Sequence, residues 1–309
     1  MTASTQQIVE EVQPAGHAQG PGSAWVGWLP LLFLPATAIA LRDLWPAWVF
    51  MWALSFTIFV SLKWLTWWRA PERKAHRGWR SVAYLLVWPG MDADQFLNLN
   101  VQVPRPSVMR WFWAVFEAAL GAIMLWVVAR SLPQSQRLLC GWAGMVGLVL
   151  LLHFGIFQVV ALMWQAAGVN AKAIMSAPLR ATSLAEFWGK RWNLGFRQLG
   201  YELIFRPSHR LLGVEVAGLL VFLVSGLIHD LVISVPARGG YGLPTAYFLL
   251  QGAGITLEHS QLGKRLGLAH GAAGWLFMAA FVTAPVFWLF HPWFVMRVIL
   301  PFMHAIRAL

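Results

Sequence analysis

Long apolar stretches alternate with short polar ones along most of the chain. Within these stretches the apolar residues do not alternate with polar ones at every second position, as they would in the strands of a membrane barrel. Because a helix needs about 20 apolar residues to cross a bilayer, the pattern predicts an all-α, polytopic membrane bundle of about eight spans. The spans are expected near residues 25–41, 46–67, 111–129, 138–164, 212–235, 243–257, 274–290 and 292–306.

The composition also indicates a membrane protein. The chain has 309 residues, of which 59% are hydrophobic and 11% charged, and its mean hydropathy is +0.60. Soluble domains carry about 25% charged residues, so a disordered chain, a coiled coil and an ordinary cytosolic enzyme are excluded. The single cysteine, Cys140, permits no internal disulfide and no cysteine metal cluster. Residues 1–23 are predicted to form a disordered polar tail, and residues 24–309 a single membrane-embedded domain.

The formal net charge of +11 indicates topology rather than a nucleic-acid partner, because basic residues collect in the cytoplasmic loops of membrane proteins. If the N-terminus is cytoplasmic, the outer loops receive only Arg42, Arg130, Arg137 and Arg238. The sequence therefore predicts a multi-pass integral protein of the bacterial inner membrane or the endoplasmic reticulum. Both termini are expected in the cytoplasm, membrane lipids are expected as partners, and no nucleic acid is expected.

Two cytoplasmic segments, about 69–110 and 168–210, are too long and too patterned to be simple connectors. The first contains a short apolar stretch followed by Pro89-Gly90-Met91-Asp92 and is expected to lie along the membrane surface. The second mixes aromatic residues and leucines with seven basic residues, which is typical of an interfacial amphipathic helix. Ser183 and Glu186 have the spacing of a helix-capping box.

His229 lies inside an otherwise apolar stretch, within the run SGLIHD (225–230). An ionisable residue is costly in a bilayer and is therefore a candidate functional residue. A neutral buried imidazole is the form that a general base needs, and Ser225 would lie on the same helix face. The alternative is a histidine that only bonds two helices together. Asp230 would point away from His229.

The run FWGKRWN (187–193) is the second unusual feature. Tryptophans beside basic residues are typical of an anchor at the lipid headgroups, and this alternative explains most of the run. It does not explain Asn193, whose amide can both donate to and accept from a carbonyl or hydroxyl group.

Several runs occur together in a fixed order: PGMD (89–92), LAEFWGKRWN (184–193), FRP (205–207), SGLIHD (225–230) and FLLQG (248–252) leading to Glu258. This ordered set, from about Trp79 to His291, resembles the wax synthase-like branch of the membrane-bound O-acyltransferases. The aspartate after His229 departs from the glutamate of many relatives. The chain is also compact for that superfamily.

The resemblance implies transfer of an acyl group from acyl-CoA to the hydroxyl of a lipophilic alcohol, as in wax-ester synthesis. His229 would be the general base and Asn193 would support it. Acyl-CoA would be a co-substrate, with no permanently bound cofactor and no metal. The residues expected to bind substrate are Trp188, Lys190, Arg191, Trp192, Arg197 and Ser225. Lys190, Arg191 and Arg197 are the expected contacts to coenzyme A phosphates, although anionic lipid headgroups would attract the same side chains.

Three other functions compete with the acyltransferase. A transporter would use intramembrane carboxylates such as Glu117, Glu215 and Glu258. A haem or quinone protein would use paired histidines, for which His153 and His229 are the available pair. A non-catalytic membrane scaffold would need none of these residues.

Overall fold

The computed structural model describes residues 25–71 and 78–309, and within these ranges every regular element is helical. The predicted all-α class is confirmed, whereas the predicted tail, residues 1–23, lies outside the described residues. The main helices are α1 (Leu29–Ala40), α2 (Ala47–Arg69), α3 (Trp79–Leu86), α4 (Ala93–Leu97), α5 (Val108–Ser131), α6 (Arg137–Ala166), α7 (184–191), α8 (Leu194–Ala237), α9 (Leu243–His259), α10 (Gln261–Arg265), α11 (Gly271–Leu289) and α12 (292–305).

Five helices in the described part of the chain are long and apolar enough to cross a membrane, namely α2, α5, α6, α8 and α11. The expected count of about eight spans is not confirmed. Two of the remaining candidates are short: α1 has 12 residues and α9 has 17 residues, which is below the length of about 20 residues that a full crossing needs. The last candidate, α12, contains a wide turn at Val295–Ile299.

Helix α8 is broken at Gly213, whose backbone is non-helical with φ 80° and ψ 166°. Only glycine adopts this conformation readily, because it has no Cβ. The break divides α8 into a first arm, residues 194–212, and a second arm, residues 214–237. A Cβ placed on Gly200 would lie 2.9 Å from the side chain of Val221. The first arm therefore folds back along the second.

Helices α8 and α9 form an antiparallel pair that approaches closely at one glycine. A Cβ on Gly226 would lie 2.7 Å from the Cα of Thr245, so any larger residue would push the two helices apart. Small residues at such contacts let helix backbones approach each other, as they do in membrane bundles generally. This contact places the first turns of α9 beside the part of α8 that carries His229.

The main buried core lies between α2, α5, α6, α8, α9, α12 and the end of α11. Its fully buried members include Leu125, Val295, Val298 and Met303. Several helices keep apolar residues exposed on their outer faces, including Phe112, Val115 and Phe116 of α5. Such surfaces suit contact with lipid, because α5 is one of the helices long enough to cross a membrane.

Candidate active site

A cavity of about 410 Å³ lies between α2, α7, both arms of α8, and α9. Its walls are mainly apolar, with a few polar groups that converge on it, which is the usual character of a small-molecule site. Six of the predicted site residues line it: Trp188, Trp192, Asn193, Arg197, Ser225 and His229. Lys190 and Arg191 are not among the lining residues.

The bonding of His229 defines its tautomer. Its Nδ1 lies 2.7 Å from the backbone carbonyl oxygen of Ser225, one turn earlier in α8. A carbonyl oxygen only accepts hydrogen bonds, so Nδ1 carries the proton. Nε2 then holds the lone pair and is the nitrogen that can accept a proton. His229 and Ser225 are thus joined by a hydrogen bond to the Ser225 carbonyl, and Ser225 also lines the cavity.

An aromatic wall holds the His229 ring in place. The ring packs on Phe248 of α9, with the two centroids 4.3 Å apart and an angle of 38° between the planes. Phe248 also contacts Trp188, at a centroid separation of 5.7 Å. The indole N–H of Trp188 donates to the side-chain oxygen of Gln251 at 3.3 Å, and the Gln251 amide donates to the carbonyl of Phe281 at 2.7 Å. His229 and Trp188 are therefore positioned by the same face of α9.

Asn193 stands at the start of α8 in the left-handed region, with φ 42° and ψ 61°. Asparagine tolerates this region better than most residues. Its side-chain oxygen accepts from the backbone N–H of Phe196 at 3.4 Å, which caps the helix. The cap uses the amide oxygen, so the NH₂ group is the donor that Asn193 can offer to a ligand in the cavity.

The three predicted basic contacts differ in position. Arg197 lines the cavity and is exposed, and it is the cationic side chain among the lining residues. Arg191 instead pairs with Glu186, at 2.7 Å between Nη2 and Oε1, and donates to the carbonyls of Ser176 and Ala177. Lys190 is exposed outside the lining. Arg191 thus holds the loop before α7, and direct substrate contact by Lys190 and Arg191 stays a prediction.

The start of α7 follows the predicted capping pattern in part. The Ser183 hydroxyl accepts from the backbone N–H of Glu186 at 3.0 Å, as a capping box requires. The Glu186 carboxylate accepts from the backbone N–H of Thr182, at 2.8 Å, rather than from that of Ser183. Burial opposes ionisation of Glu186, but the hydrogen bonds from Thr182 and Arg191 outweigh it and lower the pKa of this carboxyl.

The segment Pro89–Asp92 packs beside the turn that carries Asn193. The fully buried Lys63 of α2 donates to the Gly90 carbonyl at 2.5 Å and lies 3.1 Å above the Tyr84 ring. A Cβ on Gly195 would lie 3.3 Å from the backbone nitrogen of Met91. Burial raises the pKa of Asp92, and hydrogen bonds from Gln95 and Gln198, with the charges of Lys172 and Lys63, act against that rise. This run therefore supports the site without lining it.

Some features of the site had no clear signal in the sequence. Ser55, Ile58 and Phe59 of α2 line the cavity, although nothing distinguishes them from other residues of an apolar span. Asp230, which was expected to point away from His229, bonds through its carboxylate to the start of α9. That contact depends on the turn between α8 and α9, which a helical pattern does not describe.

Apart from His229, the residues of the competing functions are not among those that line the cavity. His153 stacks on Trp192, with centroids 6.4 Å apart, and its buried Nδ1 has no hydrogen-bond partner within the described ranges. Glu117 and Glu215 are absent from the cavity lining. Glu258 accepts a hydrogen bond from the backbone N–H of Leu184 at 2.6 Å. None of these contacts joins the three carboxylates into one pathway.

Comparison with known proteins matches the part of the chain that contains Asn193 and His229 to one family. Residues 171–250 match the family described as "Membrane bound O-acyl transferase family". Over 142 residues the chain is 34% identical to the probable long-chain-alcohol O-fatty-acyltransferase 2 of Arabidopsis thaliana, an alignment that covers 43% of this chain and 41% of that protein. It is 31% identical over 138 residues to the long-chain-alcohol O-fatty-acyltransferase of Simmondsia chinensis, covering 40% and 39% of the two chains.

A third relative has a different name. The acyl-CoA–sterol O-acyltransferase 1 of Arabidopsis thaliana is 29% identical over 132 residues, covering 38% of this chain and 37% of that protein. The aligned region thus spans about two fifths of the length of each of these curated relatives. The matches confirm the resemblance to the wax synthase-like branch of the membrane-bound O-acyltransferases. With the five long apolar helices, they identify an integral membrane protein.

Proposed function

We propose that the protein transfers an acyl group from acyl-CoA to the hydroxyl of a lipophilic alcohol, with His229 as the general base. One observation carries the proposal. The Ser225 carbonyl engages Nδ1 of His229 and leaves the lone pair on Nε2, in a residue that lines a mainly apolar cavity. A base must present such a lone pair to the proton that it removes. The relatives are named as long-chain-alcohol O-fatty-acyltransferases and as an acyl-CoA–sterol O-acyltransferase, and these names support the same reaction class.

The reaction needs one proton acceptor and no covalent acyl-enzyme. Nε2 of His229 takes the hydroxyl proton of the alcohol while the alcohol oxygen attacks the thioester carbonyl carbon. The carbonyl oxygen becomes negatively charged in the tetrahedral intermediate, and a nearby donor would stabilise it. When the carbon–sulfur bond breaks, the leaving thiolate takes the proton from the His229 imidazolium. The products are an ester and coenzyme A.

Asn193 and Arg197 take separate roles in this scheme. The NH₂ group of Asn193 donates to the developing oxyanion or orients the thioester carbonyl. Arg197, the cationic residue of the cavity, contacts a phosphate of coenzyme A, and the apolar walls hold the acyl chain. Trp188, Trp192 and Ser225 also line the cavity and contact the bound substrates in this scheme. Lys190 and Arg191 would meet the parts of coenzyme A that extend beyond the cavity.

The proposed topology is based on the charge distribution. With an even number of crossings, as in the expected eight spans, the excess of basic residues favours both termini in the cytoplasm, where acyl-CoA is available. In a bacterium the membrane would be the inner membrane, and in a eukaryote the endoplasmic reticulum. Membrane lipids would surround the helices and dissolve the alcohol acceptor.

The first test is release of coenzyme A thiol by purified protein in nanodiscs, using a panel of acyl-CoAs with pooled lipophilic alcohols. We expect release that depends on the alcohol and matches ester formation by mass spectrometry. In Asn193→Ala the ester-forming rate should fall about 100-fold, the usual loss when one oxyanion donor is removed. Thiol release that does not depend on any alcohol, or an ester rate in Asn193→Ala equal to that of the parent, contradicts the proposal.

A further inference from the structure

Asp230 links α8 to the first turn of α9. Its carboxylate accepts from the Ser234 hydroxyl at 2.7 Å, from the backbone N–H of Gly242 at 2.9 Å and from the backbone N–H of Thr245 at 3.2 Å. The Thr245 hydroxyl donates to it as well. The first backbone N–H groups of a helix have no partner inside the helix. Asp230 therefore caps α9 from the residue that directly follows His229.

Glu258 makes a similar link at the other end of α9. Its side chain is 1% exposed, and its Oε2 accepts from the backbone N–H of Leu184 at 2.6 Å. Leu184 is the first residue of α7, the helix that leads to Asn193. Besides this bond, Glu258 approaches Nε2 of the exposed His259 at 3.8 Å. The buried hydrogen bond of Glu258 therefore ties the end of α9 to the start of α7.

Between the two ends, α9 touches both sides of the cavity. Phe248 packs on His229, and Gln251 accepts from the Trp188 indole of α7. From Thr245 to Glu258 the helix rises about 20 Å, so one element spans the distance between the two carboxylate links. The same helix therefore contacts the segment that carries His229 and the segment that carries Asn193.

The structure assigns α9 the role of a positioning helix, with Asp230 and Glu258 as the positioning residues that set His229 and Asn193 relative to each other across the cavity. This inference rests on the proposed acyl transfer. Burying the Glu258 carboxylate is costly and apolar packing alone would not require it, whereas both Glu258 and the partly buried Asp230 satisfy backbone donors at helix starts. Loss of either link would let one reacting group shift, and a shift of about 1 Å is enough to slow a reaction about 100-fold.

Glu258 offers the sharper test because it is far in sequence from both reacting residues, whereas Asp230 directly follows His229. Glu258→Ala removes the acceptor for the Leu184 N–H, whereas Glu258→Gln keeps an oxygen of similar geometry. Glu215→Ala is the matched control, since Glu215 is an exposed carboxylate of α8 outside the cavity. For each variant, kcat, KM for acyl-CoA and hydrogen exchange of the peptide covering 184–193 are measured in nanodiscs.

We expect Glu258→Ala to lower kcat by about 10- to 100-fold while KM for acyl-CoA changes less than about threefold, because alignment is lost and binding is not. Exchange at 184–193 should become faster. Glu258→Gln should restore most of kcat and the slow exchange, and Glu215→Ala should resemble the parent in both readouts.

Three results would overturn the inference: a loss in Glu258→Gln as large as in Glu258→Ala, an effect of Glu258→Ala on KM alone, or unchanged exchange at 184–193 in Glu258→Ala. The exchange measurement needs no substrate. If the parent forms no ester with any donor and acceptor, the proposed function fails, and the exchange result still decides whether Glu258 holds the segment that carries Asn193.

Discussion

Asn193 and His229 line one cavity, although 36 residues separate them in the sequence. The chain reverses at Gly213 between them, and Gly200 of the first arm packs against Val221 of the second. From Gly213 the first arm runs about 30 Å back to Asn193, and the second runs about 24 Å forward to His229. Two arms of similar length thus bring the two residues to the same level of the bundle.

The reversal depends on the backbone of Gly213, and Gly213→Ala should destabilise the protein. Its φ of 80° with ψ 166° is a region that residues with a Cβ avoid, at a cost of about 1–3 kcal/mol. We expect a lower Tm and slower ester formation, measured by differential scanning fluorimetry and by product assay. Gly218→Ala is the stability control, because it is helical and has open space around its Cβ position. A Tm for Gly213→Ala at or above that of Gly218→Ala would contradict this prediction.

The buried Lys63 holds the Pro89–Asp92 segment against the Asn193 turn. Lys63→Ala would leave the Gly90 carbonyl without its donor and open space above Tyr84. We expect a loss of about 2 kcal/mol or more in the free energy of unfolding. Denaturant titration in detergent measures it. Lys264→Ala, at an exposed position of α10, should change nothing measurable. An equal effect of the two substitutions would show that Lys63 has no structural role.

The Glu186–Arg191 pair makes stability depend on pH with a defined sign. Its hydrogen bonds lower the pKa of Glu186 in the folded protein below its ordinary value of 4.5. The stabilisation is therefore present above pH 4.5 and is lost as the pH falls through the lower, folded pKa. The Tm of Glu186→Gln should lie below that of the parent at pH 7, and the gap should close in acid. A gap that stays constant down to pH 3, or equals that of Glu215→Gln, would contradict the assignment.

Arg197 should contribute to binding of the phosphate-bearing part of the substrate. Because a charge-assisted hydrogen bond is worth about 1.5–3 kcal/mol, Arg197→Ala should raise KM for acyl-CoA about tenfold or more. With an acyl-pantetheine, which lacks the nucleotide phosphates, parent and variant should have similar KM values. Steady-state kinetics with both donors make the comparison. An equal rise in KM for the two donors would mean that Arg197 does not recognise phosphate.

The sequence predicted the helical class and singled out six of the residues that line the cavity. Apolar runs indicate helices, and an ionisable residue within such a run, His229, marks a candidate site whatever its neighbours are. Asn193 stood out in the run FWGKRWN (187–193) and through the ordered resemblance, and Arg197 was expected to contact coenzyme A as a basic residue of the segment 168–210. Both line the cavity with His229.

The remaining features depend on tertiary contacts that no local pattern encodes. The reversal at Gly213 joins two predicted elements, the interfacial segment and a span, into one folded-back pair of arms. Arg191 and Arg197 are basic residues of the same segment, and both were expected to contact coenzyme A phosphates. In the structure Arg191 instead bonds to Glu186 and to two backbone carbonyls, outside the cavity lining. The roles of Asp230 and Glu258 depend on backbone N–H groups of other helices, and these become visible only once the helices are packed.

The most direct test of the proposed chemistry compares two histidines of α8. Both His229 and His209 place Nδ1 against backbone carbonyls of their own helix, but His229 alone of the two lines the cavity. Ester formation from acyl-CoA and a lipophilic alcohol is measured for the parent, His229→Gln and His209→Gln, each shown to be folded and monodisperse. General-base catalysis by His229 predicts a rate lower by at least about 100-fold in His229→Gln and nearly unchanged in His209→Gln. Equal rates in the parent and His229→Gln would contradict it.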